Sequence, residues 1–269
     1  MRFGRTGQVH RATYPYTLGV LRLDKYDYTP ARGDVDQPET FEYPVHYCVV
    51  RGLTFEMAQR GVMTSEVKEA FERAVRFLCQ EVKVSAITGN CGFMMYFQGF
   101  ARALTPRPIM LSSLAQLPFI TCCLSERKKI AILTANGHSL QRMHPLIKRW
   151  CAVEPDDERY VIVGCEDVPG FEAIAAGRDV DVAYVEPGMT AKAVKVTEDH
   201  PDVAAFLLEC TEMPPYGDAI RARTGLPVYD SVTGCNFMMR AVGAGDVELP
   251  EEQQSWVRRS VAVKETCCV

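Results

Sequence analysis

Two cysteines carry the chemistry that this sequence can do. Cys91 closes the run VSAITGNC and Cys210 closes the run AAFLLEC, and each apolar run reads as a buried strand. Pro108 lies 17 residues after Cys91, and Pro227 lies 17 residues after Cys210. Ser112 and Ser231 each lie 21 residues after their own cysteine. A helical segment fits each gap, and each proline opens a second short strand that ends in serine. The pattern describes one βαβ unit used twice, with a thiol at the same switch point each time.

A cysteine between a strand end and a helix start feels the positive end of the helix dipole. That placement lowers a thiol pKa from about 8.5 into roughly the 3.5–7.5 range. The turns Asn90-Cys91-Gly92 and Cys210-Thr211-Glu212 also offer backbone N–H groups to a substrate carboxylate. Donors that hold a carboxylate stabilise the enolate-like charge left when a proton leaves its α-carbon. One thiolate then acts as base and the opposite thiol as acid. Cys91 and Cys210 are the expected catalytic pair, with Asn90, Gly92 and Thr211 binding substrate beside them. Thr134, Asn136 and Gly137, at a strand end in the second half, are expected as further donors. Ser112 and Ser231 are expected to line the pocket. No paired-carboxylate, phosphate-loop or nucleophile-elbow motif competes with this pair.

The elements that must position these residues follow in order. Strands are expected over Thr17–Leu23, Val45–Gly52, the VSAIT run before Cys91, Lys129–Gly137, YVIVGC and the AAFLLE run before Cys210. Helices are expected from Thr64 to about Leu78, over LAQLPFITCCL, and over HSLQRMHPLIKRWC, where Pro145 kinks or splits the helix. Another starts with Pro187 in its first turn and ends near Asp199. The last apolar segment, Val232–Val242, is expected to be a helix returning to the first half.

Strands alternating with helices predict an α/β fold of two pseudo-symmetric domains, each with a mainly parallel four-stranded sheet. The expected units are 17–125 plus 232–255, and 126–231. Ligands of such sheets bind outside the carboxyl ends of the strands, so the site falls in the cleft between the domains.

The bulk composition narrows the class. The chain has 269 residues, 47% hydrophobic and 24% charged, as a globular protein of two domains would have. A net charge of −4 gives no reason to expect nucleic acid or an anionic membrane as partner. No run is long and apolar enough to span a bilayer. The basic N-terminal segment, with Arg2, Arg5 and Arg11, lacks a secretory core and is expected to be a tail or an organelle-targeting remnant. The eleven cysteines form no CxxC pair and fit a reducing, intracellular setting, cytoplasmic or organellar. Cys48, Cys79 and Cys165 lie in apolar runs and are expected to pack as small hydrophobes. Cys267 and Cys268 miss a prenylation box because Thr266 stands fourth from the end.

ITGNCGF together with LLECTEMPPYGDAIRARTGLPVYD resembles the aspartate/glutamate racemase superfamily over most of the chain, about Thr17 to Met239. The resemblance implies two cysteines flanking an α-carbon without metal or pyridoxal cofactor, at Cys91 and Cys210 here. Within the superfamily, GVLRLDKYDYTPARGDVDQPETFEYPVHY looks most like the algal Alma-type dimethylsulfoniopropionate lyases. For those lyases the implied reaction is α-proton abstraction with loss of a β-sulfonium, giving dimethyl sulfide and acrylate. A sulfonium cation suits a pocket of aromatic faces and acidic groups. Asp24, Tyr26, Tyr28, Asp34 and Tyr43 supply both in that front segment.

The expectation is therefore a cofactor-independent carbon–sulfur lyase, forming a homo-oligomer and acting on a small carboxylate. An amino-acid racemase with the same two thiols is the alternative. A non-enzymatic redox sensor using the many cysteines is a rival of another class, but a sensor has no need of two symmetric strand-end motifs.

Overall fold

The computed structural model describes residues 16–24, 29–174 and 178–243. Tyr26, Tyr28, the basic N-terminal segment, residues 244–255 of the expected first unit, Cys267 and Cys268 lie outside the described residues. The first half runs β1 (Leu18–Leu23), β2 (Val45–Val50), α1 (Phe55–Arg60), α2 (Ser65–Phe77), β3 (Ala86–Gly89), α3 (Gln98–Leu104), β4 (Ile109–Met110) and α4 (Leu117–Cys123). The second half runs β5 (Lys129–Thr134), α5 (Gly137–Gln141), α6 (His144–Cys151), β6 (Tyr160–Gly164), α7 (Val182–Asp199), β7 (Val203–Leu208), α8 (Gly217–Thr224) and β8 (Val228–Tyr229). Helix α9 (Ser231–Ala241) follows.

Each half forms a four-stranded sheet, in the orders β2-β1-β3-β4 and β6-β5-β7-β8, and every recorded pairing is parallel. The central strands are apolar throughout because helices cover both faces of a parallel sheet. LGVLRL and VAAFLL are accordingly buried at all but one position each. The strand order reverses between β1 and β3, and again between β5 and β7. Those reversals leave crevices at the carboxyl ends of the strands, where ligands of such sheets bind. Cys91 and Cys210 follow β3 and β7 at those ends.

The two sheets share apolar packing. Ile87, Leu111 and Leu114 from the first half belong to the same core as Ile130, Ile132, Leu140 and Leu207 from the second. Helix α9 leaves the second sheet and buries Cys235 and Met239 beside Leu18, Val20 and Ala86 of the first. Cys48, Cys151, Cys165 and Cys235 are buried, and burial pushes the thiols of the last three up to about 12. They pack as hydrophobes. Cys79 is half-buried, and Cys122 and Cys123 are exposed on α4.

One helix splits as expected, and another differs from the sequence expectation. The stretch 138–151 divides into α5 and α6, with Pro145 in the first turn of α6, where its missing N–H has no partner to lose. Helix α7 starts at Val182, five residues before Pro187, because the Asp181 side chain accepts a hydrogen bond from Tyr184 N–H at 3.2 Å and caps it. Pro187 then sits inside the helix.

The start of α9 is held by a reciprocal cap. Asp230 Oδ1 accepts from Thr233 N–H at 2.7 Å, and Thr233 Oγ1 accepts from Asp230 N–H at 2.8 Å. Gln116, in the 3₁₀ turn Ser113–Gln116, donates to the Asp230 carbonyl at 2.8 Å and ties this corner to the first half. Asp230→Ala is expected to cost about 1 kcal/mol, seen as a lower urea midpoint at unchanged slope. Asp230→Asn, which still caps, should lose less, and equal losses would contradict this role.

Candidate active site

The turn after β3 and the turn after β7 are locked together. Thr211 Oγ1 donates to the Asn90 carbonyl at 2.7 Å. Ser113 Oγ donates to the Leu208 carbonyl at 2.8 Å and lies 3.3 Å from the Glu209 carbonyl. Glu209, immediately before Cys210, is fully buried and presses on Gly92, immediately after Cys91. A Cβ on Gly92 would stand 2.1 Å from Glu209 Oε1 and 2.4 Å from the Glu209 carbonyl oxygen. Only glycine permits that approach.

The two thiols therefore share one neighbourhood. Cys91 is buried and caps the 3₁₀ turn Gly92–Phe97 that leads into α3. Cys210 keeps some exposure. Burial pushes its thiol well above the ordinary range, and the charges of Glu212 and Glu209 add to this. The Glu212 N–H pulls it back, and the charge of Cys91 raises it slightly further. The expectation of a thiol lowered by a helix dipole is thus reversed at Cys210. Its strand leads into a turn and the 3₁₀ segment Pro214–Tyr216 before α8, so no α-helix starts directly at the cysteine, while the charges of two carboxyl groups act on it.

The structure also redefines the expected donors. Asn90 N–H donates to the Leu21 carbonyl at 3.1 Å. Asn90 Oδ1 accepts from Leu23 N–H at 2.9 Å, and its Nδ2 donates to Asp36 Oδ2 at 2.8 Å. Asp36 is in turn 3.2 Å from Arg22 Nε. Asn90 therefore positions the Cys91 turn, and its N–H is not offered to a ligand. In the second half, Thr134 Oγ1 donates to Glu209 Oε2 at 2.9 Å, and Asn136 Oδ1 caps α5 through Ser139 N–H at 2.8 Å. Gly137 N–H donates to Glu166 Oε1 at 2.5 Å. All three are engaged within the protein.

Ser112 caps the 3₁₀ turn after β4, its hydroxyl accepting from Leu114 N–H at 3.4 Å, and Ser231 opens α9 with its hydroxyl buried. Asp24 holds the turn after β2, accepting from Gly52 N–H at 2.7 Å beside Arg51. Tyr43 lies just before β2, at the opposite end of the sheet from Cys91, where its hydroxyl donates to Asn236 Oδ1 of α9 at 2.8 Å. Its ring packs on Phe41 in the core, so it does not join a cation pocket with Asp34.

Asp34 is placed differently. It is buried and lines a small recess of about 10 Å³, room for about one water, with Thr29, Ala31, Val180, Glu212 and Tyr216. Burial raises the Tyr216 hydroxyl pKa, and the charges of Cys210, Glu212 and Asp34 raise it further. The recess is lined by two carboxyl groups and a phenol, and the phenol feels the charge of Cys210. Sequence reasoning missed Glu209, Glu212 and Tyr216 as site residues. Glu209 had a visible signal, a lone acid closing an otherwise apolar strand.

A two-sheet α/β protein with a cleft at paired strand ends is the class that the fold and site define. Unliganded arylmalonate decarboxylase has the same fold, with a TM-score of 0.55, 19% identity, and coverage of 87% of this chain and 96% of that one. A Bacillus anthracis glutamate racemase aligns with a TM-score of 0.50 at 15% identity over 86% of this chain and 84% of its own. No protein-family model matches the chain.

Sequence comparison is more specific. Dimethylsulfoniopropionate lyase of Durusdinium sp. clade D is 48% identical over 224 residues, 83% of this chain and 74% of the relative. Dimethylsulfoniopropionate lyase 3 of Emiliania huxleyi is 52% identical over 230 residues, 84% of this chain. The chain spans 60% of the length of that relative. The chain belongs to the dimethylsulfoniopropionate lyase family.

The contact between Gly92 and Glu209 yields a direct test. Gly92→Ala is expected to destabilise the protein by about 1–3 kcal/mol or more, measured by chemical denaturation. Adding Glu209→Ala should not rescue it, since the Glu209 backbone carbonyl remains in the way. Full rescue by the double variant would show that only the side chain clashes.

Proposed function

We propose that this chain is a lyase that splits dimethylsulfoniopropionate into dimethyl sulfide and acrylate. The observation that carries the reading is the interlock of the two strand-end turns that bear Cys91 and Cys210, with the charge of Cys91 felt at Cys210. Family membership supports the substrate. A cysteine thiolate takes the α-proton, the electron pair forms the α,β double bond, and the β-carbon–sulfur bond breaks with its electrons going to sulfur. Dimethyl sulfide, acrylate and one proton result, so the atoms and charge balance without a cofactor.

The sulfonium end is assigned to the side of the small recess, which must open to admit it. Asp34 and Glu212 are its acidic groups, and Tyr216 is its aromatic one. A cation near a carboxyl group and a ring face is attracted to both. In this reading Asp34 has the role expected of it from the sequence, with Glu212 and Tyr216 added. Of the expected donors, Thr211 ties the two turns together and Gly92 allows them to meet. Thr134, Asn136, Asn90 and Ser112 act as supports for this arrangement.

A dianionic substrate would set a second carboxylate against Asp34 and Glu212 with no cation among the residues lining the recess. The chemistry of the leaving group decides between lyase and racemase. A β-sulfonium departs readily, so one base suffices, whereas racemisation needs the proton returned to the opposite face.

The test is dimethyl sulfide release by the purified protein and by Cys91→Ala and Cys210→Ala. Each variant is expected to lose at least about a hundredfold of the rate, the usual scale for removing a positioned acid or base. Full activity in both variants contradicts the mechanism. Exchange of the α-hydrogen of an amino acid in deuterated water, without dimethyl sulfide, would establish a racemase instead. Because the Cys210 thiol is raised, its thiolate fraction grows as pH rises. If Cys210 is the base, kcat/KM should climb from neutral into alkaline pH, and a fall over that range contradicts this assignment.

A further inference from the structure

Glu209 occupies the place in the second half that Asn90 occupies in the first. Each is the last residue before its cysteine. Asn90 N–H donates to the Leu21 carbonyl of β1, and Glu209 N–H donates to the Leu133 carbonyl of β5 at 2.8 Å. In the first half this slot holds a neutral amide with its side-chain oxygen and nitrogen both hydrogen-bonded. In the second half it holds a carboxyl group that is fully buried. Its Oε2 accepts from Thr134, and its Oε1 lies buried against Gly92 with no hydrogen-bond partner among the described residues. Burying an ionised carboxylate with half of its acceptor capacity unmet is far costlier than burying the acid.

We propose that Glu209 is a positioning residue whose charge state governs the neighbouring Cys210 thiol: protonated, it is a neutral group like Asn90 and leaves Cys210 free to ionise, and ionised, it opposes that ionisation. The inference rests on the reading of Cys210 as a working thiol. Burial pushes the Glu209 carboxyl up to about 7, and the Thr134 hydroxyl is the one group drawing it back. The carboxyl therefore changes charge near neutrality. Once ionised, it raises the thiol of Cys210, as Glu212 does from the same turn.

The titratable groups gathered here are Cys91 from the turn after β3, Cys210 and Glu212 from the turn after β7, and Tyr216 from the segment that follows. Thr134 from β5 and Ser113 from the first half meet Glu209 through uncharged hydroxyls. No cation among these groups offsets an ionised Glu209. Proton uptake by Glu209 and proton loss by Cys210 are thus coupled, and the pair titrates as a unit.

The experiment follows the alkylation of Cys210 by iodoacetamide against pH, resolved by peptide mapping in the full chain without substrate. Glu209→Gln keeps the shape and the Thr134 hydrogen bond while removing the charge. The alkylation midpoint is expected to fall by about one pH unit or more relative to the wild type. Thr134→Val should lower it in the same sense by a smaller step, because Glu209 then holds its proton to higher pH. Coincident profiles for the wild type and a folded Glu209→Gln overturn the proposal. If Glu209→Gln does not fold, Thr134→Val decides, a lower midpoint supporting the proposal and an unchanged one overturning it. The readout needs no turnover, so it fails separately from the lyase reading.

Discussion

The arrangement depends on the close approach of Glu209 to Gly92. That contact, with the Thr211–Asn90 and Ser113–Leu208 hydrogen bonds, joins two turns that belong to different sheets. Without it the strand-end cysteines would be two unrelated thiols. With it the charges of four acidic groups, Glu209, Glu212, Cys91 and Cys210, become linked. A Cβ at position 92 is enough to forbid it.

The geometry explains why the environment of the thiols is not the one that helix dipoles alone would make. Short 3₁₀ turns stand between each cysteine and the α-helix that follows it, and they weaken the axial field at the sulfur. Burial and two carboxyl groups then dominate at Cys210. Such a thiol is a poor base until a neighbour loses its charge or a cation arrives. A sulfonium substrate seated beside Asp34 and Glu212 would bring that positive charge to the site.

Much of the fold was legible because parallel strands covered on both faces have continuous apolar sequences. VSAIT, KIAILT and VAAFLL stand out for that reason, and the matched offsets to Pro108 and Pro227 reveal the internal symmetry. The start of α7 was masked by Pro187, since a proline inside a helix is unusual and Asp181 looks like any loop acid. The cysteines of the site were legible for the same reason as the symmetry. The fate of individual donors was not. Asn90, Thr134 and Gly137 are polar residues at strand ends, and their engagement by Asp36, Glu209 and Glu166 depends on side chains distant in sequence. Tyr43 was misplaced because an aromatic residue in a polar stretch gives no sign of which end of the sheet it meets.

The central claim is that Cys91 and Cys210 serve one substrate. The most direct measurement treats the full chain with dichloroacetone, which bridges two thiols across a three-carbon span, and maps the joined peptides. The account predicts a Cys91–Cys210 cross-link formed in step with loss of dimethyl sulfide release, and protection of both thiols together by dimethylsulfoniopropionate. Separate capping of the two cysteines at independent rates, with no cross-link and no shared protection, would contradict it.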